Sequence, residues 1–224
     1  MASRSRSGQG TKKPRVPARR APTPRGVAKP EPLRPAASVK RSALSAPSPG
    51  DPLKYARSLI RDVPNFPHAG ILFRDITPLL ADPRGFHITL DAMAERFIGE
   101  HVDAIVAVES RGFIFGGALA ARLNASFVPV RKPGKLPGRT DRLTYSLEYG
   151  EGELEMQHDA IAARARCVLV DDLLATGGTA AAAGELVKRQ GGILLAYAFV
   201  VELDALGGRG RLAPAPVISL IRYG

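Results

Sequence analysis

The sequence contains little that would support a secreted, membrane-spanning or zinc-dependent protein. Its one cysteine, Cys167, excludes an internal disulfide, and because it opens an apolar run we interpret it as a small buried hydrophobe rather than a nucleophile. No apolar run reaches membrane-spanning length, and no secretory hydrophobic region is found. The four histidines lack the spacing of metal ligands; they are His68, His87, His101 and His158. We therefore expect a cytoplasmic protein with no membrane partner and no metal-binding side-chain cluster.

The excess positive charge is concentrated in the first 50 residues. The formal net charge of +11 would by itself suggest nucleic-acid binding. However, residues 1–50 hold 12 of the 32 Lys and Arg but only one of the 21 acids, which leaves 20 of each sign for residues 51–224. The body is formally neutral, so its charge does not indicate a polyanion as its ligand.

Composition divides the chain into a disordered tail, residues 1–50, and one domain, residues 51–224. The tail holds nine of the 19 prolines and no aromatic residue, so it cannot bury enough apolar surface to offset its ordering entropy. A nucleic-acid-binding arm and a targeting segment are the functional alternatives, although the prolines oppose the amphipathic helix of a transit peptide. We favour a tolerated basic extension.

The body has the pattern of an α/β fold: an open, mainly parallel twisted sheet with flanking helices. Strands are predicted at 102–109, 126–130, 166–172, 193–203 and 215–221. Helical spacing occurs at 52–63, 83–100, 110–124 and 177–190. Between them, 131–142 is predicted to be a long mobile loop, and 143–157 a hairpin that turns at 150–152. Sheets of this kind bind ligands at the carboxyl ends of their strands.

The most informative stretch is CVLVDDLLATGGTAAAAGELVK, residues 167–188. A buried strand ends in Asp171 and Asp172, and a glycine turn then enters a helix. The turn residues are Ala175, Thr176, Gly177, Gly178 and Thr179. Their backbone N–H groups, two hydroxyls and the helix N-terminus would form a phosphate cradle. The two acids would repel a phosphate but accept hydrogen bonds from vicinal hydroxyls, and a ribose 5-phosphate has both kinds of group.

Other interpretations of this stretch fit less well. A Walker A loop needs a lysine after its glycines, where this chain has Thr179 and Ala180, and the G-x-G-x-x-G spacing of a dinucleotide site is absent. The remaining alternative is a structural turn whose acids cap the helix.

Five segments in order resemble the adenine phosphoribosyltransferases of the type I phosphoribosyltransferase family. They are FRDITPLL (73–80), ESRGFIFG (109–116), RKPGKLPG (131–138), YSLEYG (145–150) and DDLLATGGT (171–179). The resemblance covers about residues 53–224. Glu109 stands where some relatives carry Asp, and we expect little effect because Ser110 and Arg111 match.

The resemblance implies a purine salvage enzyme with a small N-terminal hood segment and a flexible closing loop. It would transfer the phosphoribosyl group of 5-phosphoribosyl 1-pyrophosphate to adenine, giving AMP and pyrophosphate. Mg²⁺ would be held mainly by substrate phosphates and water, without a dedicated protein site. A homodimer is implied, because the Arg131 position can reach a neighbouring subunit's site.

The resemblance also assigns roles to individual residues. The pyrophosphate-binding residues are Ser110, Arg111, Arg131, Lys132 and Lys135. The adenine-binding residues are Leu72, Phe73, Arg74, Leu173 and Glu148. The lid residues are Tyr145 and Tyr149. The catalytic residues are Glu148, Asp171, Asp172 and Arg111, of which Glu148 would manage the adenine proton and the paired acids would stabilise positive charge on the ribose.

Ordinary structural roles are the alternatives for several of these residues. Each loop cation taken alone, and Glu148, could be simply solvated, and Phe73 and Leu173 could be core residues. For the whole protein there are two rival functions. A regulator would keep the fold without catalysis and bind nucleic acid through the tail, but the closing-loop motifs argue against it. A phosphoribosyltransferase for guanine, hypoxanthine or xanthine would lack the FRDI segment.

Overall fold

A computed structural model describes residues 51–146 and 150–224. The α-helices of these ranges are α1 (Pro52–Ser58), α2 (Thr77–Ala81), α3 (Pro83–Glu95), α4 (Gly112–Leu123), α5 (Gly178–Arg189) and α6 (Gly208–Arg211), and a short 3₁₀ helix spans Asp204–Leu206. The strands are β1 (Arg61–Pro64), β2 (Leu72–Asp75), β3 (Ala104–Val108), β4 (Ser126–Val130), β5 (Thr140–Ser146), β6 (Glu151–Gln157), β7 (Arg166–Leu174), β8 (Ile193–Leu203) and β9 (Val217–Tyr223). None of the helices within these ranges is both long and apolar enough to cross a membrane.

The centre of the fold is a five-stranded sheet in the order β4-β3-β7-β8-β9, and every pairing within it is parallel. All five residues of β3 are buried, as are most residues of β8. Such continuous apolar strands are expected where helices cover both faces of a parallel sheet. The predicted open, mainly parallel sheet with flanking helices is confirmed.

Alternate residues of β7 contribute to the two core clusters that cover the sheet. Val168 and Val170 pack with residues of α3 and α4. Cys167 and Leu169 pack with residues of α5 and β6. Because side chains of a strand alternate between faces, packing on both sides holds β7 in place. This packing also fixes the position of the residues at the carboxyl end of β7.

A smaller antiparallel sheet, β1-β2, corresponds to the predicted hood segment. The helix predicted at 52–63 is wrong beyond Ser58, because Arg61–Pro64 form β1. Pro64 explains part of this difference, since a proline disfavours helical backbone in the residue before it. The helix predicted at 83–100 also ends early, at Glu95, and Gly99 in the following turn has a φ of 84°.

The described residues of the predicted loop and hairpin, 131–146 and 150–157, form more strand than expected. Arg131 forms two backbone hydrogen bonds with Glu155, of 2.9 and 2.8 Å, and Thr140 already begins β5, so the predicted loop is too long at both ends. Ser146 pairs with Glu151, which places Glu151 and Gly152 inside β6. The prediction of a turn at 150–152 is therefore wrong for Glu151 and Gly152, which lie in β6.

Candidate active site

The candidate site lies at the carboxyl edge of the central sheet. Because β3, β4 and β7 are parallel, the segments that follow them leave the sheet at the same edge. These segments are Glu109–Arg111 after β3, Arg131–Lys135 after β4, and the 175–179 turn after β7. The topology thus brings three of the five recognised motifs together.

Asp171 and Asp172 lie within the last four residues of β7, not after it. The strand continues through Leu174, because Asp171 pairs with Phe199 and Leu173 with Val201. Asp172 is only 4% exposed, whereas Asp171 is half-buried and lines a cavity of about 100 Å³ that extends along the glycine turn. The two adjacent acids therefore occupy different environments.

Arg111 is the cation that faces this acid pair. Its Nε lies 3.0 Å from Asp172 Oδ2. The contact is an ion pair without hydrogen-bond geometry, so within the described ranges this buried oxygen has no hydrogen-bond donor. Asp171 Oδ1 accepts a hydrogen bond of 2.9 Å from the Asp172 backbone N–H. The site thus presents a buried carboxylate oxygen that a ligand hydroxyl could satisfy.

Burial changes the acidity of the pair. It raises the pKa of Asp171 well above the ordinary aspartate value, and the adjacent charge of Asp172 adds to the rise. Burial also raises the pKa of Asp172, but the Arg111 guanidinium opposes that rise. Arg111 therefore favours the charged form at Asp172, while Asp171 is the acid that more readily takes a proton or a hydrogen bond.

The glycine turn has the geometry of an anion cradle. Gly177 adopts left-handed backbone with a φ of 78°, and Gly178 begins α5. The backbone N–H groups from Thr176 to Ala180 have no acceptor among the described residues. They surround the helix N-terminus, where the macrodipole adds partial positive charge. Residues 175–179 thus have a left-handed turn and a helix N-terminus, while their binding of a phosphate stays a prediction.

A second glycine pair supports the cradle and was not anticipated. A Cβ on Gly177 would lie 2.7 Å from Gly208 O, and a Cβ on Gly208 would lie 2.2 Å from Ala175 O. The first residue of α6 therefore packs directly on the cradle through backbone atoms. Arg209, the next residue, anchors this helix with a 2.9 Å hydrogen bond from its Nε to the buried carboxylate of Glu202. The dipeptide Gly207-Gly208 was the available sequence signal.

The turn from β3 into α4 approaches β7 just as closely. A Cβ on Gly112 would lie 2.7 Å from Asp171 Oδ1 and 3.0 Å from Val170 O. No acceptor in the described part of the chain takes the backbone N–H of Ser110 or Arg111. The glycine thus allows these two amides and the Arg111 side chain to lie beside the acids.

The hood strand β2 separates two cavities. Phe73 lines an apolar cavity of about 480 Å³ that reaches Arg111, whose guanidinium lies 5.6 Å from the Phe73 ring centroid. Leu72 and Arg74 line the other cavity, of about 760 Å³, together with Ala175 and Thr176. Both volumes are within the usual range of small-molecule sites.

Leu173 is not in the same cavity as Phe73. It lines the small cavity of the cradle and packs against the core. The structure therefore does not bring Phe73 and Leu173 together around one pocket, although both were predicted to contact the adenine ring. Phe73 instead packs edge-on against Phe66, with ring centroids 5.1 Å apart.

The predicted pyrophosphate cations of the 131–135 segment converge on one carboxylate. Arg131 Nε lies 2.8 Å from Glu109 Oε2, and Lys135 Nζ lies 3.0 Å from Glu109 Oε1. The Lys132 backbone N–H donates to Glu109 Oε1 at 2.8 Å. Burial acts to raise the pKa of Glu109, but these three donors together hold it below the ordinary glutamate value.

A second buried carboxylate, Glu155 of β6, holds the rest of this loop. It is 1% exposed and accepts from the backbone N–H groups of Lys135 and Leu136 and from the Thr140 hydroxyl, each at 3.2 Å. Glu109 was expected to have little effect, and Glu155 was not anticipated. Leu154 and Met156 are the apolar positions of β6, so alternation predicts a polar, solvated residue at 155, and no local signal identified Glu155 as buried.

The predicted lid residues are described only in part. Tyr145 lies in β5, and its hydroxyl is 3.1 Å from Thr179 Oγ1, so the hairpin touches the cradle. A Cβ on Gly152 would lie 2.7 Å from the Tyr145 ring, which shows how closely the ring covers β6. Glu148 and Tyr149 lie outside the described residues, and their predicted roles stay predictions.

Comparison with known proteins agrees with this geometry. The family model for the phosphoribosyl transferase domain matches residues 80–209, so the protein is by class a phosphoribosyltransferase. The adenine phosphoribosyltransferase of Sorangium cellulosum is 65% identical over 176 residues, which cover 76% of this chain and 88% of that relative. The one from Acidobacterium capsulatum is 57% identical over 173 residues, covering 77% and 94%. The chain belongs to the adenine phosphoribosyltransferase family.

Solved structures of the family have the same fold. The crystal structure of adenine phosphoribosyltransferase from Thermoanaerobacter pseudethanolicus superposes with a TM-score of 0.75 at 47% identity, covering 76% of this chain and 99% of that one. The Saccharomyces cerevisiae enzyme, complexed with an imino-altritol bisphosphate and adenine, gives 0.72 at 47% identity, covering 75% and 98%. The Trypanosoma brucei enzyme, in complex with AMP, pyrophosphate and ribose 5-phosphate, gives 0.70 at 27% identity, covering 79% and 82%.

Proposed function

We propose that the protein transfers the phosphoribosyl group of 5-phosphoribosyl 1-pyrophosphate to adenine, forming AMP and pyrophosphate in purine salvage. The observation that carries this proposal is the position of Asp171 and Asp172 beside the 175–179 cradle. An acid pair, of which Asp172 is buried, and a set of backbone N–H groups without an acceptor among the described residues lie a few residues apart at one sheet edge. Together they match the hydroxyls and the 5-phosphate of one ribose.

The acid pair would act on the ribose during transfer. The bond from the ribose to pyrophosphate breaks while the bond to adenine forms, and positive charge develops on the ring as in glycoside hydrolysis. Asp171 and Asp172 would accept hydrogen bonds from the two ring hydroxyls, and the charge at Asp172 would stabilise the cationic ring. Ala175, Thr176, Gly177, Gly178 and Thr179 would hold the 5-phosphate. The 2.9 Å hydrogen bond from the Asp172 backbone N–H orients the Asp171 carboxylate.

Cations from two segments would hold the pyrophosphate. Arg111 and the Ser110 and Arg111 amides would approach from the β3 side, and Arg131, Lys132 and Lys135 from the loop after β4. Support comes from the topology, which places both segments at the same edge as the cradle. Arg111 is paired with Asp172, so pyrophosphate oxygens would compete with that acid for the guanidinium.

Adenine would bind beside the hood strand. The backbone at Leu72 and Arg74 would read the edge of the base, with Phe73 as apolar surface and Glu148 managing its proton; Leu173 lines the cavity of the cradle instead. Support comes from the cavities on both sides of β2 and from the relative complexed with adenine. Tyr145 and Tyr149 would exclude water, which would otherwise hydrolyse the activated ribose. The contact from Tyr145 to Thr179 supports a hairpin that covers the cradle.

Mg²⁺ would enter with the substrate. In the described ranges no group of three or more His, Cys, Asp or Glu side chains is arranged to hold a metal ion. The site does offer hard carboxylate oxygens at Asp171 and Asp172 next to the cradle, which fit a cation held mainly by phosphates and water. When bound, Mg²⁺ would neutralise pyrophosphate charge.

We also propose a homodimer and a cytoplasmic location. Both rest on the family resemblance. Sedimentation of the purified protein would test the first, and fractionation of cells would test the second.

The test is a turnover assay with a binding control. Adenine, 5-phosphoribosyl 1-pyrophosphate and Mg²⁺ should yield AMP and pyrophosphate in equal amounts, and chelation of Mg²⁺ should stop the reaction. The rival function is a regulator that binds nucleic acid through the tail. Absence of turnover, combined with a gel shift at physiological salt, would replace the proposed function with that rival.

A further inference from the structure

Glu109 is the common partner of the loop cations, although it belongs to neither the pyrophosphate-binding residues nor the acid pair assigned above. Its side chain is 6% exposed. Its two oxygens contact Arg131, Lys135 and the Lys132 backbone N–H at distances between 2.8 and 3.0 Å. It immediately precedes Ser110, the first residue of the other pyrophosphate-binding segment.

This carboxylate connects the two halves of the pyrophosphate site. A Glu109 backbone hydrogen bond of 2.9 Å to Val130 O fixes the end of β3 against the end of β4. From there the side chain reaches the loop that follows β4. Because a buried carboxylate is stable only when paired, Glu109 has a strong preference for the conformation that keeps both cations nearby.

The contacts leave donors available on both cations. Arg131 uses Nε for Glu109 and Nη1 for the Lys135 carbonyl, at 2.8 and 3.0 Å, while Nη2 has no acceptor within the described residues. The side chains of Arg131 and Lys135 remain 33% and 48% exposed. Glu109 therefore fixes the stems of the two cations and leaves part of each charged group open to a ligand.

We propose that Glu109 is a positioning residue for pyrophosphate: it holds Arg131 and Lys135 in one orientation, preorganised for the leaving group. The proposal rests on the proposed function and extends it, since Glu109 would not itself touch the substrate. It also revises the expectation that the identity of this acid has little effect. An Asp would keep the charge but, being one methylene shorter, would reach the cations less well.

A role for Glu109 as a competitor of pyrophosphate would change pyrophosphate binding in the opposite direction. If Glu109 competed with pyrophosphate for the cations, removing its charge would free them and strengthen pyrophosphate binding. If it were only structural, its loss would destabilise the protein and weaken all ligands alike. Glu109→Gln separates these roles, because the amide N–H group would face the donors of Arg131 and Lys135 and displace them.

The experiment is calorimetric titration of the full chain with inorganic pyrophosphate plus Mg²⁺, and separately with AMP, well below the melting temperature. Glu109→Gln should weaken pyrophosphate binding about 10- to 100-fold, since a displacement of roughly 1 Å can cost on the order of 100-fold. AMP, which has no pyrophosphate, should bind as in the parent. Glu109→Asp should fall between the parent and Glu109→Gln.

The matched control is Asp103→Asn. Asp103 also accepts a backbone N–H, that of Arg166 at 2.7 Å, but it lies at the opposite end of the central sheet from the 131–135 loop and the cradle. It should leave pyrophosphate binding unchanged even if it lowers the melting temperature. Tighter or unchanged pyrophosphate binding in Glu109→Gln, or equal weakening of AMP, would overturn the proposal. A parent protein that binds no pyrophosphate and forms no AMP would instead refute the proposed function itself, and this inference with it.

Discussion

Asp172→Asn should damage catalysis without damaging the fold. The substitution keeps the shape of a side chain that is 4% exposed and removes the charge that lies 3.0 Å from Arg111 Nε. An amide can still accept one hydrogen bond from a ribose hydroxyl. It cannot stabilise positive charge on the ribose ring.

The expected loss of rate follows from the weakened hydrogen bond to the ribose and from the lost negative charge. One charge-assisted hydrogen bond and the field of a buried carboxylate together contribute about 2–4 kcal/mol of transition-state stabilisation, which corresponds to roughly 30- to 1,000-fold in rate. The substitution should not reduce the stability of the fold, although it reduces the rate. Because the folded state raises the pKa of Asp172, the charged form is less favourable at neutral pH in the folded than in the unfolded chain. The melting temperature should therefore stay the same or rise.

The assay measures the rate of AMP formation and the melting temperature of each variant side by side. Asp103→Asn is the control at the other end of the same sheet. Asp103 accepts a 2.7 Å hydrogen bond from the backbone N–H of Arg166, the first residue of β7. Its loss should lower the melting temperature and leave the rate nearly unchanged. A normal rate for Asp172→Asn with a lowered melting temperature would show that the acids are structural, and the ribose argument would be wrong.

Three further predictions concern the cradle, the tail and the cysteine. Gly177→Ala should lower the melting temperature and raise the KM for 5-phosphoribosyl 1-pyrophosphate, because left-handed backbone costs an alanine about 1–2 kcal/mol and its Cβ would lie 2.7 Å from Gly208 O. Gly117→Ala, inside α4 with nothing near the new Cβ, should be neutral or stabilising, and equal effects at both positions would contradict this reasoning. A chain beginning at Asp51 should fold and form AMP at the parental rate, and a folded but inactive product would place the tail in the site. Cys167 should resist thiol reagents until the protein unfolds, since it is fully buried and burial raises its pKa to about 11; rapid labelling of the native protein would contradict this.

Much of the site could be predicted from sequence because its elements are local. The change from a β7 apolar run to paired acids and then to a glycine turn occupies fewer than 15 consecutive residues. Such a stretch specifies its own strand, turn and helix N-terminus. The parallel sheet then follows from the alternation of strands and helices, and it brings the ends of β3, β4 and β7 to one edge.

The contacts that the sequence did not reveal join residues far apart in the chain. Glu109 meets Arg131 and Lys135 only because β3 and β4 are neighbours, and Glu155 reaches the same loop from β6. No local pattern distinguishes such a buried acid from a solvated one. The predicted contact of Phe73 and Leu173 with one ring depends in the same way on how the hood lies against the sheet, and the two line separate cavities here.

The most direct test of the central claim is the relative kcat/KM for adenine, guanine and hypoxanthine, each with 5-phosphoribosyl 1-pyrophosphate and Mg²⁺. We expect strong preference for adenine, because the backbone at Leu72 and Arg74 is proposed to read the edge of a 6-aminopurine. A site that hydrogen-bonds the edge of a 6-aminopurine rejects a 6-oxopurine, because that base would leave buried polar groups of the site unpaired. Equal kcat/KM values for adenine and a 6-oxopurine would contradict the assignment.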